Sequence, residues 1–303
     1  MCSNLAVAPF RSTNKDRIMD FFRRSLIGAV SATTLIIGSL ASANAADNTD
    51  MRLRAAITGE HRSEAKVARD AYRNPYETLK FFGLKEGMTV LEIFAQGAWY
   101  TEVIAPVVAG TGKYVGALPD PSVSERSQSS FDRYAAAFDA NRDLYGDAEA
   151  AAIGAEATQP IEPGTADLVL TFRNIHNWMG AGTAEKMYEI MYESAKPGGY
   201  LGVVEHRGNP MIKQDPKARS GYVNEGYAIK LAEDAGWQLV AVSDINDNPM
   251  DDKDYEGRVW RLPQTLRYFG QEGFPELTGA DRQKSLAIGE SDRFTHLFVK
   301  PVE

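Results

Sequence analysis

Short apolar runs alternate with helical patterns along most of this chain. Thr89–Phe94, Lys113–Leu118, Ala166–Phe172, Tyr200–Glu205, Trp237–Val242 and Phe294–Lys300 are short enough and apolar enough for strands. Between them, Trp99–Val108, Ser122–Asn141, Ala184–Ser194 and Tyr222–Ala235 carry apolar residues at helical spacing, as in Phe131, Tyr134 and Phe138. Asn74-Pro75 ends one helical stretch (Ser63–Tyr72) and opens the next, with Pro75 at its first position. The alternation predicts an α/β domain, a doubly wound and mostly parallel sheet with helices on both faces. Residues 245–293 break the rhythm. They are rich in Asp, Asn, Pro and Gly and too long for a plain connection, so a lid is expected there, docked through Val259-Trp260-Arg261-Leu262-Pro263.

The first 45 residues follow another logic. Arg23-Arg24 precede an uncharged, mostly apolar run from Leu26 to Leu40, and Ala43-Asn44-Ala45 is a small-x-small site. That order is a secretory signal, with cleavage after Ala45 and a periplasmic product. At about 15 residues the run is short for a membrane span, so no stable anchor is expected after cleavage. The lone cysteine, Cys2, leaves with it, and the remainder carries no thiol. Removing 1–45, which holds five basic and two acidic residues, takes the net charge from −8 to −11. So acidic a chain argues against nucleic acid as partner and suits a small-molecule substrate. The sequence gives no reading of oligomeric state.

The chemistry-bearing residues sit at predicted strand ends. Val90-Leu91-Glu92-Ile93 runs into Phe94-Ala95-Gln96-Gly97-Ala98, a tight turn opening a helix, as nucleotide-type sites require. His176 follows the Ala166–Phe172 strand, as a site residue or as a loop histidine packed on Trp178. Glu205-His206-Arg207 ends the next strand, as a general base with its neighbours or as an edge cluster of ion pairs. Arg73 could bind a carboxylate or pair with Glu77. Asp247, Asp251, Asp252 and Asp254 lack calcium-loop spacing and read as a solvated acidic loop; the four histidines lack zinc spacing, so no metal is expected.

Ala195-Lys196-Pro197-Gly198-Gly199 resembles the turn before the fifth strand of class I S-adenosylmethionine-dependent methyltransferases, and Ala166–Leu170 resembles their fourth strand. More of the chain resembles a bacterial family of predicted, exported methyltransferases of unknown substrate. The likeness runs through Arg73-Asn74-Pro75, Trp99-Tyr100-Thr101-Glu102, Thr171-Phe172-Arg173-Asn174, His176-Asn177-Trp178, Glu205-His206-Arg207 and Asp292-Arg293-Phe294. The resemblance implies a Rossmann-like sheet with an antiparallel last strand and S-adenosylmethionine as cofactor. It would place Glu92, Gln96, Gly97 and Asp120 in the cofactor cleft, and Asn174, His176, Glu205 and His206 on the substrate side. The departures are Phe94, Gln96 and Ala98, where these enzymes carry glycines, and Asp120, displaced past Pro119. They leave open a binding protein that kept the fold and lost the cofactor. A nicotinamide-dependent dehydrogenase is disfavoured, since no G-x-G-x-x-G follows the first strand.

Overall fold

The computed structural model describes residues 48–154, 159–256, 258–263 and 265–302. The expected signal segment lies outside them. Residues 46–303 form one compact unit. Its described part opens with helix α1 (48–58), α2 (Glu64–Val67), α3 (Asp70–Arg73) and α4 (Pro75–Phe81). The predicted 63–72 helix is therefore two short pieces. Asn74 takes the left-handed conformation, φ 41°, between α3 and α4, and Pro75 starts α4 where a missing N–H costs nothing.

The sheet then builds as β1 (Thr89–Ile93), α5 (Thr101–Val108), β2 (Lys113–Pro119), α6 (Glu125–Ala140), α7 (Arg142–Tyr145), β3 (Glu149–Ile153) and β4 (Ala166–Phe172). It continues with α8 (Ile175–Ala181), α9 (Ala184–Ser194), β5 (Ala195–His206), α10 (Glu225–Asp234), β6 (Gln238–Ser243), α11 (Gly279–Ile288) and β7 (Arg293–Val299). The strand order is β3-β2-β1-β4-β5-β7-β6. Six strands point the same way, and β7, between β5 and β6, is antiparallel to both. The predicted doubly wound sheet with an antiparallel last strand is what forms. The central strands β1 and β4 are buried on both faces, with Val90, Leu91, Ile93, Leu168, Val169 and Leu170 inaccessible. One apolar layer packs on each side of the sheet. Gly199 is forced by close approach: a Cβ there would lie 2.9 Å from the carbonyl oxygen of Ala166.

The 245–293 segment is stitched down at both ends. Asn246 Nδ2 donates to Thr78 Oγ1 at 3.0 Å and to Thr295 Oγ1 at 2.9 Å, and Asn74 Nδ2 donates to the Ile245 carbonyl. Asp251, expected in a solvated acidic loop, is instead 2% exposed. It accepts from the Tyr222 hydroxyl and the Asp292 amide because the chain buries it against α10's entry loop. At the far end Glu290, 3% exposed, accepts from Arg69 Nε (2.5 Å), Arg73 Nε (3.3 Å) and Arg293 Nη1 (3.1 Å). Arg73 thus pairs across the fold with Glu290 rather than along its helix with Glu77, and its guanidinium lies over the Trp99 ring at 4.6 Å.

Burial alone would raise the Glu290 pKa. The charges of Arg73, Arg293, Arg173 and Arg69 outweigh it and hold the carboxyl at about 2, against an ordinary 4.5. A depressed carboxylate pKa contributes stability that is present above the unfolded value and lost as pH falls through 4.5 toward 2. Glu290→Gln should therefore cost roughly 3–5 kcal/mol at pH 7, since it leaves buried guanidinium charge without its partner. It should also flatten the acid limb of the stability curve. Chemical denaturation of both proteins from pH 3 to 7 measures this; equal stability at pH 7 would remove Glu290 from that role.

Candidate active site

The turn after β1 takes a left-handed path largely without glycine. Phe94 (φ 55°), Gly97 (φ 77°) and Ala98 (φ 52°) are all left-handed. For Phe94 and Ala98 that conformation costs on the order of 1 kcal/mol or more each. Neighbouring contacts hold it in place. The Ala95 amide donates to the Ala117 carbonyl at the end of β2, and the Phe94 ring packs edge-on against Trp178 at 5.7 Å. Gln96 and Gly97 face outward. They line a cavity of about 440 Å³, closed by Leu118 and Pro119 from β2 and by Arg126, Arg133 and Tyr134 from α6.

The four residues expected in a cofactor cleft do not all meet there. Gln96 and Gly97 do. Asp120 lies at the adjoining end of β2, where its carboxylate accepts from the Ser122 amide, which holds its pKa below the ordinary value. Glu92 sits deeper, 5% exposed, and accepts from the Tyr114 hydroxyl at 2.5 Å and from Thr101. Burial, partly opposed by those two hydrogen bonds, raises its pKa to about 7. Tyr134 links this buried network to the cavity wall through Thr101 Oγ1, 2.8 Å away.

The substrate-side residues converge more closely. Glu205, inaccessible at the end of β5, accepts from His176 Nδ1 (3.1 Å), from the His176 amide (3.2 Å) and from the His206 amide (2.8 Å). His206 Nδ1 meets Ser291 Oγ, and the two imidazole rings are 5.2 Å apart. Neither Nε2 has a hydrogen-bond partner among the described residues. Burial, then His176, then Arg173, Arg293 and Arg73 push the His206 pKa well below 6.5, so that ring is neutral. Asn174 stands apart. Its amide donates to the Ile93 carbonyl (3.0 Å) and to Thr171 Oγ1, tying the end of β4 to the end of β1.

His176, Glu205 and His206 each place one possible ligand atom within 4.8 Å of the other two, a grouping that linear spacing does not announce. Two features weigh against a divalent cation there. Glu205 is already engaged by three N–H donors, and Arg73, Arg173 and Arg293 put positive charge beside it.

Sequence reasoning named Arg173, Tyr100 and Trp260 in other connections and missed their contacts at this edge. Arg173 is a half-buried cation whose pKa is lowered by desolvation to about 10. Tyr100 stacks on Phe172 at 3.5 Å. Trp260, from the 245–293 segment, reaches the His176 ring at 6.2 Å. His176 therefore neighbours Trp260 and His206 rather than packing on Trp178. Strand-end position was the only available signal, and it marked Arg173 as much as His176.

No family model matches the chain, and no curated protein matches it. Solved structures do. One is a SAM-dependent methyltransferase from Aquifex aeolicus, 23% identical, covering 59% of this chain and 87% of that one at a TM-score of 0.47. Another is the [4+2]-cyclase SpnF, 16% identical, covering 81% and 86% at 0.53. A third is geranyl diphosphate C-methyltransferase from Streptomyces coelicolor, 13% identical, covering 82% and 89% at 0.49. Identities this low speak to architecture alone. The likeness to SpnF, with the observed strand order, shows that this chain has a Rossmann-like α/β fold with a seven-stranded, mostly parallel sheet.

Proposed function

We propose that this protein is an exported S-adenosylmethionine-dependent methyltransferase acting on a small molecule. The observation that carries the reading is the β1 turn: a left-handed backbone kept at Phe94 and Ala98 at a cost in strain, opening on a 440 Å³ cavity. That volume is in the range of small-ligand sites. Gly97 leaves its face bare, since a Cβ there would meet nothing within 4 Å. Gln96 and Gly97 would flank the bound cofactor. Asp120, ionised at the rim, would accept from the ribose hydroxyls, and Arg126 and Arg133 in the wall would complement its carboxylate.

When bound, S-adenosylmethionine supplies a methyl group on a sulfonium. The chain's own part is to align the acceptor and take its proton. In this reading His176 performs the second task. Glu205 holds Nδ1, which fixes the tautomer and leaves Nε2 to accept a proton. His206, kept neutral by burial and by its cationic neighbours, is a packing and hydrogen-bonding partner in this scheme rather than the base.

A second reading has a specific observation behind it. Gln96 puts an amide side chain where these enzymes carry glycine, and a similar fold serves a protein described as a cyclase. A binding protein without cofactor would look like this.

Calorimetric titration with S-adenosylmethionine and S-adenosylhomocysteine separates the two. Weak binding by the wild type is expected, tightened about tenfold to a hundredfold by Gln96→Gly with Ala98→Gly, as two obstructed hydrogen bonds are restored. Ala98→Gly alone should raise the melting temperature, because glycine adopts φ 52° without strain. No binding of either ligand to wild type or double variant would favour the cofactor-free protein.

Export is proposed from the basic, apolar and small-residue order of residues 23–45. Intact-mass measurement of protein from the periplasmic fraction should show a chain starting at Ala46. Retention of residues 20–45, or recovery from the cytosol alone, would overturn it.

A further inference from the structure

Against the exposed side of His176 lies a second cavity, of about 340 Å³, whose lining has one marked character. Its walls include Trp260 and Phe269, stacked on each other at 4.3 Å with 19° between the planes. Its charged lining residues are Lys217, Arg219 and Arg258, and no acidic side chain lines it. In a chain with net charge −8 this is a local reversal of sign. Little of that charge is neutralised. Arg219 reaches only Asp215, at 3.5 Å, and Lys217 has no ion partner among the described residues. Arg258 lies over the Phe269 ring at 5.2 Å and donates to the Arg219 carbonyl; it makes no close ion pair among the described residues, although its charge reaches Asp215. It is held left-handed, φ 63°, a conformation that costs free energy and fixes where its side chain starts.

We infer that this cavity binds the methyl acceptor, and that the acceptor is a flat aromatic or conjugated molecule bearing a carboxylate. The inference rests on the reading of His176 as the acceptor's base, and it adds the substrate's class. Stacked rings offer a flat apolar wall, worth most to a flat apolar body. Guanidinium and ammonium groups around it select an anion, and arginine offers a bidentate fork to a carboxylate. The cavity is lined in part by α8, which follows β4 directly, and β4 is the direct neighbour of β1, whose turn carries Gln96. Trp260, Phe269 and Arg258 all come from the 245–293 segment, so the segment expected to act as a lid would supply the selectivity.

The test is direct binding of small probes to the full chain, without cofactor. Benzoate, benzamide and cyclohexanecarboxylate separate charge from flatness. Benzoate should bind at least about tenfold more tightly than either of the others. Lys217→Ala with Arg258→Ala should remove the preference for benzoate over benzamide, and Trp260→Leu should remove the preference over cyclohexanecarboxylate. Circular dichroism and the S-adenosylmethionine titration should be unchanged in these variants, which checks that they fold. Benzamide binding as well as benzoate would overturn the proposal. So would benzoate affinity that survives the double substitution with Arg219→Ala added, because the anion would then sit elsewhere, for instance among the arginines around Glu290. Because no cofactor is present, failure here is distinct from failure of the cofactor titration.

Discussion

One carboxylate sets the terms for the C-terminal edge of this sheet. Glu290 takes three guanidinium hydrogen bonds, from Arg69, Arg73 and Arg293, with Arg173 close enough to stabilise its charge. Those arginines come from three separate places: the short helices before the sheet, the end of β4, and the start of β7. Without the carboxylate they would repel one another in a poorly solvated site, and the lowered pKa of Arg73, from burial and then Arg173, records that tension. The hub therefore decides several things together. It closes the 245–293 segment at its second end, fixes Arg73 over Trp99, and leaves a positive field over the neighbouring histidines.

The two histidines of this edge have different surroundings. His206 feels burial, His176 and three arginines, and it is neutral. His176 has the Glu205 carboxylate on Nδ1 and cavity space beside its ring. The same field opposes a cation at the His176, Glu205 and His206 cluster and favours an anion beside it.

Much of the architecture was legible because periodicity reports burial. Ala166–Phe172 and Ala184–Ser194 form elements with the bounds that the apolar pattern gives. β3 was not legible: Glu149–Ile153 is mostly alanine, has little apolar contrast, and earns its place by pairing with β2. α8 was missed because its seven residues are buried on more than one face and show no clean stripe. Asp251 was misjudged for a related reason. Composition marks a run of aspartates as solvated, and only the fold reveals that Tyr222 and the Asp292 amide wait for one of them. The site followed the same division. Strand ends placed His176, Glu205 and His206 in one region, but nothing linear says that Glu205 holds the first histidine's Nδ1 and the backbone of both, or that Ser291 meets the second. Arg73 paired with Glu290, 217 residues away, because tertiary distance rather than helix spacing chose its partner.

The β1 turn shows where sequence pattern and backbone part company. Glycine at such positions is a permission, and what the ligand meets is the backbone path. Phe94 and Ala98 follow that path at a cost, held by the Ala95 to Ala117 hydrogen bond and the Trp178 contact. A chain with no use for the turn could relax it by taking a more open loop, gaining roughly 1 kcal/mol for each residue released. Retained strain at the mouth of a cavity is what selection for a ligand there would leave behind. Gln96 then bears on which ligand and how tightly, since it is exposed at the opening while residues on either side of it keep the left-handed path.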